Sequence, residues 1–220
     1  MKELQKPMSR SAIALGLVLL GSAMGVSAHA ESVVLPFLTH ADFFSSETHQ
    51  STPLDPQVFV AEPSGAAGMG PQGIRHVAGV RNAHISDNQS LPIVNALGNP
   101  LDMSLGAWLG ASGDVILSPE ANGHEKVVVV LHHLKPSGKY SLFENHFDQK
   151  PIGFTPLDGT GTTNSFVADS AGNAAVTVIA PEPLTHDNAV LVVYHSDGQA
   201  HGVTRGSIGV NAHHQLIARP

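Results

Sequence analysis

A run of β-branched residues near the middle of the chain restricts the fold more than any other feature. Residues 127–131 read Val-Val-Val-Val-Leu, and such a density of β-branched side chains favours an extended strand over a helix. Both faces of this strand are apolar, so we expect a central strand that is covered on both sides. Pro136 and Gly138 end the strand, and Tyr140 begins the next one.

The C-terminal half of the chain repeats this alternation of short apolar stretches and turns. The turns are rich in Gly, Asp, Asn and Pro, and their spacing is typical of all-β domains. We predict strands at residues 114–118, 126–134, 140–145, 153–157, 164–168, 174–179, 189–194 and 213–218. The strands on either side of residues 169–173 are expected to form a hairpin. One short helix is predicted after Ser104, because Leu105, Trp108 and Leu109 fall on one helical face.

The first hundred residues have a weaker pattern. Residues 1–30 combine a basic start, a short apolar stretch and small residues at Ala28 and Ala30, which is the organisation of a secretory signal peptide cleaved before Glu31. An edge strand interrupted by Pro36 follows. We interpret residues 40–57 as a loop and residues 63–73 as a flexible linker. The resulting division is a signal peptide (1–30), an irregular N-terminal arm with short strands (31–99) and a sandwich domain (100–220).

One short motif adds a resemblance to the fold prediction. The run Leu134-x-Pro136-x-x-x-Tyr140 resembles the strand–corner–strand element of fibronectin type III and immunoglobulin-like domains, where the tyrosine hydroxyl bonds back to the backbone of the corner. Residues 156–161 and 194–198 are also similar to segments of secreted bacterial β-sandwich domains. The resemblance implies an antiparallel Greek-key β-sandwich of the immunoglobulin-like kind, and it carries no activity with it.

Charge and cysteine content limit the partners. Without residues 1–30 the chain has 8 Lys and Arg against 17 Asp and Glu, a net charge of −9. Such an acidic chain is a poor partner for nucleic acid or anionic lipid. No cysteine is present, so disulfides do not stabilise the fold. No stretch beyond the signal peptide could span a membrane. We therefore expect a soluble periplasmic or extracellular protein.

Histidine is the one unusual component. Thirteen of the 14 histidines lie after residue 30, and imidazole is the commonest metal ligand in proteins. The absence of a thiolate excludes a blue-copper site but leaves Zn or Cu(II), and less readily Fe, on His and carboxylate ligands. Several histidines lie at predicted strand ends, which can converge at one end of a sandwich. The candidate ligands are His132, His146, Asp148, His195, His201 and His214.

Two enzyme classes are alternatives on the same residues. The spacing of His146-x-Asp148 is that of two ligands of the facial triad of non-haem iron oxygenases, with His195 or His201 as the third. Copper–zinc superoxide dismutases are also exported, histidine-rich sandwiches, but they use a His-x-His pair that this chain lacks.

In the adjacent pairs His132/His133 and His213/His214, alternation along a strand should send one side chain inward and one outward.

The function that we predict is an exported, non-enzymatic binding or interaction module that holds a transition metal through histidines at one end of the sandwich. The alternatives are a metal-dependent redox enzyme and an acid-sensing or adhesin-like surface protein. In the acid-sensing case, protonation of all 13 imidazoles would take the net charge from −9 to about +4. A simpler interpretation is that most histidines are solvated turn residues or hydrogen-bonded core residues.

Overall fold

Strands account for most of the regular structure in the computed structural model, which describes residues 31–220. The predicted signal peptide lies outside the described residues. The strands are β1 (Val33–Pro36), β2 (Leu38–Thr39), β3 (Leu54–Ala61), β4 (Gly68–Met69), β5 (Arg75–His76), β6 (Val80–His84), β7 (Pro92–Val94), β8 (Pro100–Ser104), β9 (Ser112–Pro119), β10 (Glu125–His132), β11 (Lys139–His146), β12 (Gly153–Pro156), β13 (Ser165–Val167), β14 (Ala174–Ala180), β15 (Asn188–His195) and β16 (Ala212–Ala218). The helices are α1 (His40–Glu47), α2 (Leu105–Leu109) and a 3₁₀ turn at Ala121–Gly123.

Two antiparallel sheets share one hydrophobic core. The first, sheet A, has the strand order β1-β9-β10-β14, and the second, sheet B, has the order β12-β11-β15-β16-β2 with β13 paired to the start of β11. Val115 and Val129 of sheet A belong to the same buried cluster as Leu142 and Val192 of sheet B. The chain is therefore all-β with several antiparallel sheets, as predicted.

A third sheet is built from residues before 105. Sheet C has the order β6-β3-β7-β8, and strands β4 and β5 form a separate two-stranded ribbon. Val58, Ile93 and Leu101 of sheet C belong to the core cluster of sheets A and B. Trp108 of α2 belongs to it too, and its indole N–H donates to the Asp55 carboxylate at 2.7 Å. These contacts fix sheet C against one end of the core.

Strand β10 is central in sheet A, as its valine run predicts, but only one of its faces is fully covered. Val127, Val129 and Leu131 are buried, whereas Val128 and Val130 on the other face are half-buried. The prediction of a strand covered on both sides was wrong for β10. The outward valines lie between β9 and β14 and gain only cross-strand contacts.

The strands that are covered on both faces are β15 and β16 of sheet B. On the outer face of sheet B, Phe143, Leu191 and Ile217 form a second cluster with Phe43 of α1. The prediction of a loop at residues 40–57 was wrong for this helix, which is capped by Thr39: its hydroxyl oxygen accepts a hydrogen bond from the Asp42 N–H at 3.1 Å.

The corner between β10 and β11 has the predicted hydrogen bond. The buried Tyr140 hydroxyl accepts from the Lys135 backbone N–H at 2.9 Å.

The predicted hairpin at residues 169–173 was wrong, because β13 pairs with β11 of sheet B while β14 pairs with β10 of sheet A. The chain thus crosses between sheets A and B at residues 169–173.

The edge position predicted for the strand with Pro36 is confirmed, since β1 is the outer strand of sheet A. Among residues 31–220, no helix has both the length and the apolar character that crossing a bilayer needs.

Candidate metal centre

The candidate site lies where β15 ends and a long loop begins. His195 is the last residue of β15, and the chain turns at once, with the Gly198 N–H donating to the His195 carbonyl at 3.2 Å. Gly198 has a φ of 74°, which other residues adopt only with strain. The loop returns to β16, and the Ser196 N–H donates to the Asn211 carbonyl at 2.9 Å to close its base.

Three potential ligands converge within this turn and loop. One ligand atom each from His195, Asp197 and His201 lies within 4.8 Å of the other two. His201 Nε2 is 3.0 Å from Asp197 Oδ2, and the two imidazole rings are 5.2 Å apart between centroids. A carboxylate between two imidazoles is a ligand set that suits Zn or Cu(II).

The hydrogen bonding of His195 leaves one of its nitrogens available. Its Nε2 lies 2.8 Å from the Ser141 hydroxyl oxygen on the neighbouring strand β11. Its Nδ1 is buried and has no hydrogen-bond partner among the described residues. If Nε2–H donates to Ser141, the lone pair is on Nδ1, and a second hydrogen bond of this kind is what orients the histidine ligands of metal sites.

Burial keeps the His195 ring neutral. It lowers the pKa of His195 to about 4, helped by the nearby His201 and Lys139 and opposed by Asp197. The side chain is only 1% exposed. A neutral imidazole is the form that ligates metals, so His195 is ready to do so throughout the physiological pH range.

Asp197 is held in place from two directions. Its Oδ2 accepts from the Asn211 side-chain amide at 2.9 Å, and its Oδ1 accepts from the Gln199 N–H at 3.1 Å. His201 Nε2 is close enough to Asp197 for an ion pair, but the contact is not aligned as a hydrogen bond, so this buried nitrogen is also without a hydrogen-bond partner among the described residues. Both histidines of the group therefore have a ring nitrogen without a partner in the described part of the chain.

The geometry requires a modest contraction to bind an ion. In a tetrahedral zinc site with bonds of about 2.1 Å, ligand atoms are about 3.4 Å apart. The widest separation here is up to 4.8 Å, so the ligands must close by about 1.4 Å at most. His201 belongs to a surface loop, and its side chain is about one-fifth exposed.

Two other predicted ligands, His146 and Asp148, lie at the opposite end of sheet B. Lys139 pairs with His195 and His146 pairs with Asn188, which places His146 and His195 about 23 Å apart along the strands. His146 Nε2 is 2.8 Å from the Thr155 hydroxyl, and the residue lines an acidic cleft of about 540 Å³ with Glu144 and Asp148. His146 and Asp148 therefore do not form the predicted facial triad with His195.

The predicted ligand His132 is on sheet A and exposed, with Nδ1 3.0 Å from the Asn173 side-chain oxygen. The alternation predicted for His132 and His133 was wrong, since both side chains are exposed. His133 lies beyond the end of β10 and has a φ of 58°, so the strand alternation no longer applies to it.

The alternation predicted for His213 and His214 is present in β16, but both side chains are buried. They point to opposite faces, but sheet B is covered on each. His213 packs beside Trp108 on the core side, and the predicted ligand His214 lies on the outer side with its Nδ1 3.4 Å from His40 Nε2. Both ring nitrogens of His214 already have neighbours within hydrogen-bonding distance, because Gln57 is 3.0 Å from Nδ1 and an Arg205 nitrogen 3.0 Å from Nε2.

Asp197 is the member of the site that the sequence analysis missed. Its position between two histidines, two residues after His195 and four before His201, was a signal that could have identified it. Of the six predicted ligands, the structure brings His195 and His201 together.

Comparisons of the chain with protein-family models, with curated proteins and with solved structures gave no match.

Proposed function

We propose that the protein is an exported, non-enzymatic binding module that holds one divalent transition metal ion, Zn or Cu(II), at His195, Asp197 and His201. The observation that carries the proposal is that His195 and His201 each have a buried ring nitrogen without a hydrogen-bond partner among residues 31–220, while ligand atoms of both residues and of Asp197 lie within 4.8 Å of one another. Burying a polar atom without a partner is costly. A metal ion would satisfy both nitrogens at once.

The surroundings favour a site that stores or presents a metal over a catalytic one. His195 is covered by the loop that follows it, and Asp197 already accepts two hydrogen bonds that fix its direction. Lys139, opposite His195 in the register, adds positive charge that weakens but does not remove the attraction for a cation. Three protein ligands leave a fourth position, which a donor from a partner protein would close in a storage or presentation site and which water would occupy in a catalytic one.

Export and architecture belong to the same proposal. The composition of residues 1–30 supports secretion to the periplasm or beyond, and the net charge of −9 of the remainder supports a partner other than nucleic acid. The tyrosine corner at Tyr140 and the crossing of the chain between sheets A and B support a Greek-key, immunoglobulin-like sandwich.

The test is a titration of the untagged chain with Zn²⁺ and with Cu²⁺, followed by calorimetry. We expect one ion per chain for the unaltered protein and at least tenfold weaker binding for His201→Ala, since this variant removes a ligand. Asp197→Asn keeps the shape of the side chain but removes its charge, so binding should weaken to a similar extent.

The matched control is His132→Ala. His132 is an exposed histidine next to another histidine, so it tests whether imidazole content alone explains binding. The metal affinity of the His132→Ala variant should equal that of the unaltered chain. Binding that survives in His201→Ala but falls in His132→Ala would contradict the proposal, and so would the absence of any stoichiometric binding.

A further inference from the structure

A partly buried arginine on the outer face of sheet B has no acidic partner among residues 31–220. Arg205 lies in the loop between β15 and β16, and its guanidinium carbon is 3.1 Å from the centroid of the Phe154 ring. One of its terminal nitrogens donates to His214 Nε2 at 3.0 Å. The stacking fixes the plane of the guanidinium, and the hydrogen bond fixes its rotation.

The positive charge of Arg205 is not compensated within residues 31–220. Arg81 and Arg219 both have a carboxylate within 4.0 Å, but Arg205 has none among the described residues. Burial lowers the pKa of Arg205 to about 10, so the group stays charged at neutral pH. A guanidinium has five N–H donors, and described residues accept from one of them.

A cavity of about 370 Å³ opens beside this guanidinium. Its walls are mainly apolar and include Ile74, Ile152, Phe154 and Ile208, with Arg205 at one side. Ile152, on the wall of this cavity, is 46% exposed. The volume falls within the range of small-molecule sites, which typically combine apolar walls with a few polar groups.

We propose that this cavity binds a small organic carboxylate with an apolar tail. The carboxylate would accept two parallel hydrogen bonds from Arg205, a geometry that guanidinium offers and that supplies the missing counter-charge. The tail would pack against the isoleucines and Phe154 and would cover Ile152. The apolar walls distinguish such a ligand from inorganic anions, which gain nothing from them.

The test is a calorimetric titration of the full chain, in the presence of EDTA, with octanoate, 1-octanol and inorganic phosphate as probes. We expect octanoate to bind at least tenfold more tightly than either of the others, because only octanoate has both the charge and the tail. Arg205→Met keeps an unbranched apolar stem over Phe154, so octanoate affinity should fall at least tenfold while octanol affinity is unchanged.

The chain offers a matched control in Arg219. Its guanidinium also lies over an aromatic ring, 4.3 Å from the centroid of Phe147, but it has Glu47 within 3.8 Å. Arg219→Met should leave octanoate binding unchanged. Equal binding of octanol and octanoate, equal binding of phosphate, or an equal loss in the Arg219 variant would each overturn the proposal.

A second variant covers the case in which Arg205→Met does not fold, which a thermal melt would reveal. Ile152→Glu places a carboxylate at the wall of the cavity and leaves Arg205 in the sequence. This variant should also weaken octanoate binding at least tenfold. Unchanged octanoate binding in this variant would refute the proposal. Because EDTA removes metal from all these titrations, their outcome is separate from that of the metal site.

Discussion

Four buried histidines should make the protein unfold in mild acid. Burial lowers the pKa of His40 to about 3 and the pKa values of His195 and His213 to about 4. Burial, aided by His40, also holds the pKa of His214 well below its usual range. A group whose pKa is lower in the folded chain than in the unfolded chain takes up its proton in the unfolded chain at a higher pH, so protonation favours unfolding. Stability is therefore fully present above pH 6.5 and is lost as pH falls towards 4.

The size of the effect follows from the width of that window. Lowering the pH to 5 should cost about 2 kcal/mol for each of His40, His195 and His213, or about 6 kcal/mol for the three, and His214 acts in the same direction. Asp55 acts in the opposite direction. Burial raises its pKa to about 6, despite hydrogen bonds from Gln57, Trp108 and Val58, so it regains about 1.4 kcal/mol by pH 5. The net loss from these four groups is about 5 kcal/mol, which is comparable to the total stability of a marginally stable domain.

The assay is guanidinium unfolding followed by circular dichroism at pH 7, 6 and 5. His40→Gln should reduce the loss between pH 6 and 5 by about 1.4 kcal/mol, since one proton fewer is taken up on unfolding. His132→Gln, at an exposed position, should leave the pH dependence as it is in the unaltered chain. A free energy of unfolding that changes by less than about 2 kcal/mol between pH 7 and 5 would refute the reasoning.

Three further substitutions test the fold, each by urea unfolding at pH 7. Tyr140→Phe removes the acceptor for the Lys135 N–H and should cost about 1–3 kcal/mol; no measurable loss would show that the corner hydrogen bond is dispensable. Asp158→Ala leaves four backbone N–H groups without their acceptor and should cost about 2 kcal/mol, whereas a change within 0.5 kcal/mol, the size typical of a surface substitution, would contradict this. Gly172→Ala combines a φ of 79° with a collision against the Leu134 carbonyl and should cost more than about 1 kcal/mol; equal or higher stability would contradict it.

Local patterns in the sequence predicted the parts of the fold that depend on local physics. The valine run of β10 and the Leu-x-Pro-x-x-x-Tyr corner identify extended backbone and a turn from adjacent residues alone. Helix α1 was missed because its core-facing side is made by His40, Ala41 and Ser45, not by a stripe of large apolar residues. Its position depends on packing against the next strand, β3, and against β16, which is distant in the sequence.

Burial on both faces of sheet B could not be predicted from sequence patterns either, because it also depends on long-range packing. In β16 an extra residue, Gln215, has no partner on β15, so the alternation of side chains changes its phase within the strand. The same long-range packing decides which histidines are buried. It also bears on the predicted acid response, because the buried imidazoles resist protonation until the chain unfolds; acid sensing by the exposed ones stays a prediction.

The candidate site could be predicted only in part. His195 and His201 lie at the end of one strand and in the loop that follows, so their convergence with Asp197 is local and could be anticipated. The separation of His146 from His195 depends on the antiparallel register of β11 and β15, which the sequence does not state.

The most direct test of the metal proposal is anomalous diffraction at the zinc edge from crystals grown with one equivalent of Zn²⁺. We expect a single strong peak with bonds of about 2.0–2.2 Å to nitrogens of His195 and His201 and to an oxygen of Asp197. A peak at exposed histidines such as His132 and His133, with none at the end of β15, would contradict the account.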